Sequence, residues 1–187
     1  VSDRASAGIY VDEGGPLLRK LVSEMDFSAY EKKLISKGLV TKYLVADMKD
    51  TPSIVVPDDV GAIQAAIRRY STRATGGDCA EPGQVEECNL ILTTGGTGFG
   101  KRDLTPEAIR PLLERQAPGV AQALLNAGLQ HTPLAVLARP VVGVRGNTLV
   151  VTLPGSPKAI RENFVALAPL LPRIMELLMD DDATKCG

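Results

Sequence analysis

Short apolar runs alternate with longer amphipathic stretches along the chain. That rhythm predicts an α/β fold in three layers, with a mostly parallel sheet flanked by helices. Asn89 to Thr94 (NLILTT) is the strongest strand signal, a continuous apolar run ending in threonines. Tyr43 to Met48 and residues 54–57 (IVVP) are shorter candidates, and residues 1–8 read as a strand end turning into a loop. Within residues 134–153 the strand signals are broken by Pro140 and by Gly146-Asn147, so the second half reads as a small hairpin.

The helical stretches carry their own punctuation. Pro16 opens a helix to Val22, with proline at the first helical position. Residues 28–37 read as helical up to a stop at Gly38. Asp58 caps a helix to about Tyr70, in which Val60, Ile63, Ala66 and Ile67 keep one face apolar. Thr105 caps the next helix with Pro106 first inside it, and Pro111 should kink or shorten that helix. Pro118-Gly119 opens another through Leu129, and Ser156 caps one that begins at Pro157 and is divided by Pro169 and Pro172. Residues 1–180 thus read as a single domain, 71–88 as a long polar surface loop, and 181–187 as a frayed tail.

Composition narrows the picture. Of 187 residues, 44% are hydrophobic and 23% charged, which excludes wholesale disorder, and tryptophan is absent, so the core is aliphatic. The net charge of −1 argues against a nucleic-acid binder, so an anionic ligand needs a local cluster of donors. No apolar run reaches the roughly 20 residues of a membrane span. Cys79, Cys88 and Cys186 lack zinc-knuckle spacing and read as reduced thiols of a cytoplasmic protein. His131 is the single histidine and reads as a surface or structural residue, and the four tyrosines form no stacking platform. The chain opens on Val1-Ser2-Asp3 without a methionine, so the lack of a visible leader carries little weight.

The chemistry concentrates in Leu92-Thr93-Thr94-Gly95-Gly96-Thr97-Gly98-Phe99-Gly100-Lys101-Arg102-Asp103. Glycines at the carboxyl end of a strand let backbone N–H groups approach a phosphate closely, at the edge where open α/β sheets bind ligands. A flexible turn accounts for the glycines but less well for the two cations and the carboxylate. Neither the Gly-x-Gly-x-x-Gly helix opening nor the Gly-Lys-Ser/Thr phosphate loop is present. Asp3, Asp58 and Asp103 all follow strand signals, and converging carboxylates beside a phosphate suit Mg²⁺, although Asp58 in a Pro-Asp pair is also ordinary capping. Leu153-Pro154-Gly155-Ser156-Pro157-Lys158 repeats the pattern of a strand feeding a helix N-terminus. Arg139 and Arg145 flank Pro140 to Val144, and on their own would be surface cations.

In this order the pieces resemble the molybdopterin adenylyltransferase family, which includes bacterial enzymes of molybdenum-cofactor synthesis and the G domains of plant proteins and gephyrin. The resemblance rests on Val1-Ser2-Asp3, Asp12 to Pro16, Val56-Pro57-Asp58, Leu90 to Ala108, Ala117-Pro118-Gly119, Arg139-Pro140, Gly143 to Gly146, Thr148-Leu149 and Leu153 to Ser156. It implies a molybdopterin-binding fold assembled as a homotrimer. It also implies that the terminal phosphate of molybdopterin takes AMP from Mg·ATP, releasing pyrophosphate, before a molybdate-insertion domain in the same or another chain acts. Asp58 and Asp103 would be the catalytic, Mg²⁺-linked carboxylates. Asp3, Gly95, Gly96, Thr97 and Gly98 would line the nucleotide, and Arg139, Arg145 and Ser156 would face the pterin or its phosphate. The other function in view is a non-catalytic, trimerising scaffold within a larger gephyrin-like protein. Two positions depart from the family pattern: Ala138 and Gly14 stand where serine is usual.

Overall fold

In a computed structural model of the chain, the strand and helix signals of the described residues resolve into a four-stranded sheet with helices on both faces. The structure describes residues 12–25, 54–71 and 88–183. The expectations for residues 1–8, for the helix over 28–37 with its Gly38 stop, for the Tyr43–Met48 strand, for the interior of the 71–88 segment and for residues 184–187 lie outside them. In chain order the elements are α1 (Gly14–Ser23), α2 (Val60–Tyr70), β1 (Leu90–Thr94), α3 (Thr105–Ile109), β2 (Arg115–Gln116), α4 (Pro118–Leu129), β3 (Val142–Arg145), β4 (Thr148–Leu153), α5 (Pro157–Leu167) and α6 (Leu171–Ala183). Single 3-10 turns occupy Arg110–Leu112, Pro133–Leu137 and Ala168–Leu170.

The strands lie in the order β1-β4-β3-β2. β1 runs parallel to β4, from Leu90 beside Leu149 to Thr94 beside Leu153. The pairs β3–β4 and β2–β3 are antiparallel. Among the described residues the sheet is therefore mixed rather than mostly parallel. The reason is the expected hairpin: Gly146, at φ 55°, supplies the positive dihedral of a tight two-residue turn, and such a turn can only reverse the chain.

The period-two alternation of a strand sorts the core into two layers. Leu149, Val151 and Leu153 of β4 point to one face, where Leu17 and Leu18 of α1, Leu124 of α4, Ile160 and Phe164 of α5 and Leu171 and Met175 of α6 cover them. Val150 points to the other, against Ile63 and Ile67 of α2 and Ala108 and Ile109 of α3. Three layers result, and every side chain of β4 is buried. At about 25 cal/mol per Å² of apolar surface, burial of such side chains is the main source of stability.

Several boundaries differ from the sequence reading. Asp59, not Asp58, caps α2, its carboxylate accepting from the Ala62 N–H at 2.8 Å. Residues 54–57 pair with no strand among the described residues, and Ile54 and Val55 are exposed. Pro16 is the third residue of α1, not the first; Asp12 accepts from the Gly14 and Gly15 N–H groups and so starts the helix two residues earlier. Thr105 lies inside α3, with Leu104 in the capping position, because its hydroxyl is used elsewhere. Residues 133–137 form a 3-10 turn, not a strand, and α6 continues to Ala183. Pro111 does end its helix: α3 stops at Ile109 and tightens into a 3-10 turn.

Candidate functional site

β1 and β4 are parallel, so their carboxyl ends open on one edge of the sheet, and each runs into glycine. Gly95 and Gly96 take φ of 89° and 65°, values that side-chain-bearing residues rarely adopt. Those dihedrals turn the chain sharply away from β1. The turn is bonded to everything around it. The Gly95 N–H donates to the Leu153 carbonyl at 3.2 Å and the Thr94 hydroxyl to the Pro154 carbonyl at 2.8 Å. Thr105 closes it from the far side, its hydroxyl donating to the Gly95 carbonyl and its N–H to the Gly96 carbonyl, both at 3.0 Å. That use of the hydroxyl is why Thr105 does not cap α3.

Two further glycines let neighbouring elements close on the turn. A Cβ on Gly155 would lie 3.3 Å from the Gly95 Cα, and one on Gly14 would lie 2.9 Å from Thr94 Cγ2. The N-termini of α1 and α5 are thereby brought beside the turn, and the positive ends of their dipoles favour an anion there. Ser156 caps α5, its Oγ accepting from the Ala159 N–H at 3.3 Å. Gly14, one of the two departures from the family pattern, is thus at the site, where a larger residue would have to displace Thr94.

Asp103 completes the turn. Its Oδ2 accepts from the Gly100 N–H at 2.7 Å, and Cβ atoms on Gly98 or Gly100 would come within 2.9 and 2.8 Å of that oxygen. Its Oδ1 makes no hydrogen bond among the described residues. One oxygen is thus anchored and the other is available, which suits a carboxylate that shares a hard cation with a phosphate. No cluster of three or more carboxylate, cysteine or histidine ligands occurs among the described residues. A single carboxylate with one oxygen open fits an ion such as Mg²⁺, which takes one or two carboxylates and completes its shell with phosphate oxygens and water. Asp58 stands just before the α2 cap, and α2 is tied to α3 by the Gln64 side chain donating to the Ala108 carbonyl at 3.0 Å.

Arg139 is held against the turn. Its backbone N–H donates to the Thr97 carbonyl at 2.9 Å, Nε to Gly98 at 2.8 Å and Nη2 to Asp103 at 2.7 Å. Both terminal nitrogens also pair with the Glu107 carboxylate, and the guanidinium lies 5.4 Å from the Phe99 ring centre. The hydrogen bond from Arg139 holds the Glu107 carboxyl below its ordinary pKa against the opposing effect of burial, and a backbone hydrogen bond and the charges of Arg139 and Arg110 add to the lowering.

Arg145 is not at this site. The hairpin puts the end of β3 beside Thr148, at the amino edge of β4, while the glycine turn follows the carboxyl edge. There Arg145 is buried and its Nε donates to the Ser71 hydroxyl at 3.0 Å. Ser71 and Cys88, the ends of the 71–88 segment, bridge at that same edge. Asp3 lies outside the described residues.

A cavity of about 220 Å³ adjoins the turn. Thr97, Ala138 and Pro154 form the wall towards the turn, and Leu124, Glu162 and Asn163 line the side formed by α4 and α5. The structure thus brings Gly95, Gly96, Thr97, Gly98, Asp103, Arg139 and Ser156 together. The sequence reading missed Gly155, Thr105, Glu107 and Glu162 as parts of this surroundings. Gly155 and Thr105 stood in motifs already noticed, but nothing in the chain pairs Glu107 with a residue 32 positions on.

A family model described as a probable molybdopterin binding domain matches residues 1–173. Gephyrin of Dictyostelium discoideum is 38% identical over 95% of the chain, which spans 21% of that protein. The molybdopterin adenylyltransferase of Helicobacter pylori strain J99 is 31% identical over 95% of the chain and 84% of its own length. The crystal structure of the molybdopterin biosynthesis enzyme MoaB of Thermus thermophilus superposes with a TM-score of 0.67 at 34% identity, covering 96% of this chain and 92% of that one.

Proposed function

Because the chain belongs to the molybdopterin-binding family, we propose that it transfers AMP from ATP to the terminal phosphate of molybdopterin. A phosphate oxygen of molybdopterin attacks the α-phosphorus of ATP, that P–O bond forms, the bond to the β-phosphate bridge breaks, and pyrophosphate leaves. The reading is supported above all by one observation: the Gly95-Gly96 turn, the N-termini of α1 and α5 and the Asp103 carboxylate converge on one edge beside a cavity. Helix N-termini and backbone N–H groups stabilise charge as it shifts onto phosphate oxygens, and they need no reorganisation during the reaction. Asp103, with Asp58, would hold Mg²⁺, which when bound supplies charge neutralisation at the phosphates.

The cavity supports a place for the planar heterocycle. Its walls are mostly apolar, and Glu162 and Asn163 offer polar atoms on one side for the edge of a pterin. Ala138 leaves that wall without the hydroxyl usual in the family. Gly95 to Gly98 would cradle phosphate, and Ser156 would contribute from the start of α5. Arg145 is not part of the proposal.

The decisive experiment is release of pyrophosphate from ATP in the presence of molybdopterin. Stoichiometric release with formation of adenylyl-molybdopterin is expected. Tight binding of molybdopterin without release would favour a scaffold role. That alternative draws on the long relatives: the chain matches 21% of the Dictyostelium gephyrin and 23% of the cinnamon protein of Drosophila melanogaster. We also propose the homotrimer, with a molybdate-insertion domain acting on the product.

A further inference from the structure

The pair Glu107–Arg139 has no role in the reaction described above, yet it is the most heavily bonded feature of the site. Four glycines lie between residues 95 and 100. Such a segment has many conformations of similar energy, and it has few side chains of its own to select one. Arg139 supplies the selection from outside: its backbone N–H binds the Thr97 carbonyl and its guanidinium binds the carbonyls of Gly98 and Asp103. In a planar trans peptide the carbonyl and the following N–H point in opposite directions. Drawing the Thr97 and Gly98 carbonyls towards Arg139 therefore turns the N–H groups of Gly98 and Phe99 away from it. Glu107 in turn binds both terminal nitrogens of the guanidinium and fixes its plane.

We propose that Glu107 is a positioning residue for the glycine turn: it locks Arg139 onto the turn carbonyls, so that the turn N–H groups are held ready for a nucleotide phosphate and Arg139 is withheld from direct contact with it. The proposal rests on the nucleotide-binding reading of the site. A purely structural role is a poor fit. The Glu107 side chain is 48% exposed, and exposed ion pairs contribute only about 0–1 kcal/mol to stability. The carbonyls that Arg139 binds belong to the turn and not to the core.

The test measures Mg·ATP binding by calorimetry, pyrophosphate release with molybdopterin, thermal unfolding, and amide exchange of residues 97–103 in wild type, Glu107→Gln and Arg139→Lys. Glu107→Gln frees a full positive charge beside the phosphates. If Arg139 touched the nucleotide, binding would be unchanged or tighter; positioning predicts that it weakens by about tenfold. Arg139→Lys keeps the charge and the backbone bond to Thr97 but cannot span the Gly98 and Asp103 carbonyls with its side chain, and should show the same loss. In both variants the turn amides should exchange faster while the melting temperature stays within about 2 °C of wild type. The double variant should be no worse than the weaker single, because the two residues act as one unit. Unchanged or tighter binding in Glu107→Gln, or turn amides that exchange as in wild type, would overturn the proposal. A wild-type chain that binds Mg·ATP but releases no pyrophosphate would sink the adenylylation reading and leave this proposal to the binding data. A wild-type chain that does not bind Mg·ATP would sink both.

Discussion

Replacing Gly96 with alanine puts a methyl group where the structure has no room and where the backbone disfavours one. The φ of 65° lies in the left-handed region, which costs a residue with a Cβ about 1–2 kcal/mol. The new Cβ also collides with Thr105 Oγ1, so Thr105 must rotate and its 3.0 Å hydrogen bond to the Gly95 carbonyl is lost. That bond contributes about 1 kcal/mol net. The two effects together predict destabilisation of about 2–3 kcal/mol. For a chain of this size that is a fall in melting temperature of about 4–12 °C. Gly119→Ala is the matched control. Gly119 sits in the first turn of α4, is exposed, has no atom within 4 Å of an added Cβ and has no positive φ. Alanine there should be neutral or stabilising by up to about 1 kcal/mol, from helix propensity. Calorimetric melting of the two variants decides the matter, with pyrophosphate release measured alongside. Equal melting temperatures would refute the account of the turn. A Gly96→Ala chain that melts low but turns over normally would show that the shape of the turn does not matter to the chemistry.

Asp103→Asn keeps an acceptor for the Gly100 N–H but removes the negative charge; pyrophosphate release should fall at least about a hundredfold while molybdopterin binding holds, and unchanged turnover would remove Asp103 from the reaction. Glu107 has a folded-state pKa below its ordinary value, so its contribution to stability is present above the ordinary carboxyl range and is lost as the pH falls through the lowered pKa; wild type and Glu107→Gln should therefore differ slightly near neutrality and converge in acid melts. Ile160→Ala empties a fully buried position between α5 and the sheet and should cost about 2–5 kcal/mol in denaturant titration. Light scattering at low micromolar concentration should give about three times the 19.8 kDa chain mass, and a clean monomer would count against carrying over the family assembly.

Local signals in the chain were enough to place much of the architecture. The run from Asn89 to Thr94 could only be a strand, since it is apolar, short and bounded by polar residues and glycine. Pro157 after Ser156, and Gly146 at a turn, likewise act within a few residues, so the α5 cap and the hairpin were legible. The glycine turn was recognisable because positive dihedrals and close backbone approach both demand glycine. Long-range pairing was not legible, because nothing local encodes it. The sequence put Asp58 at the α2 cap, and only the folded backbone, extended at Asp59, brings the Asp59 carboxylate to the Ala62 N–H instead. Arg139 and Arg145 look alike in sequence, six residues apart, one shortly before β3 and one at its end. The hairpin carries one to the glycine turn and the other to the opposite edge, since an antiparallel strand must end at the edge where its partner begins. Likewise, the pairing of Arg139 with Glu107 exists only once α3 has packed against the turn.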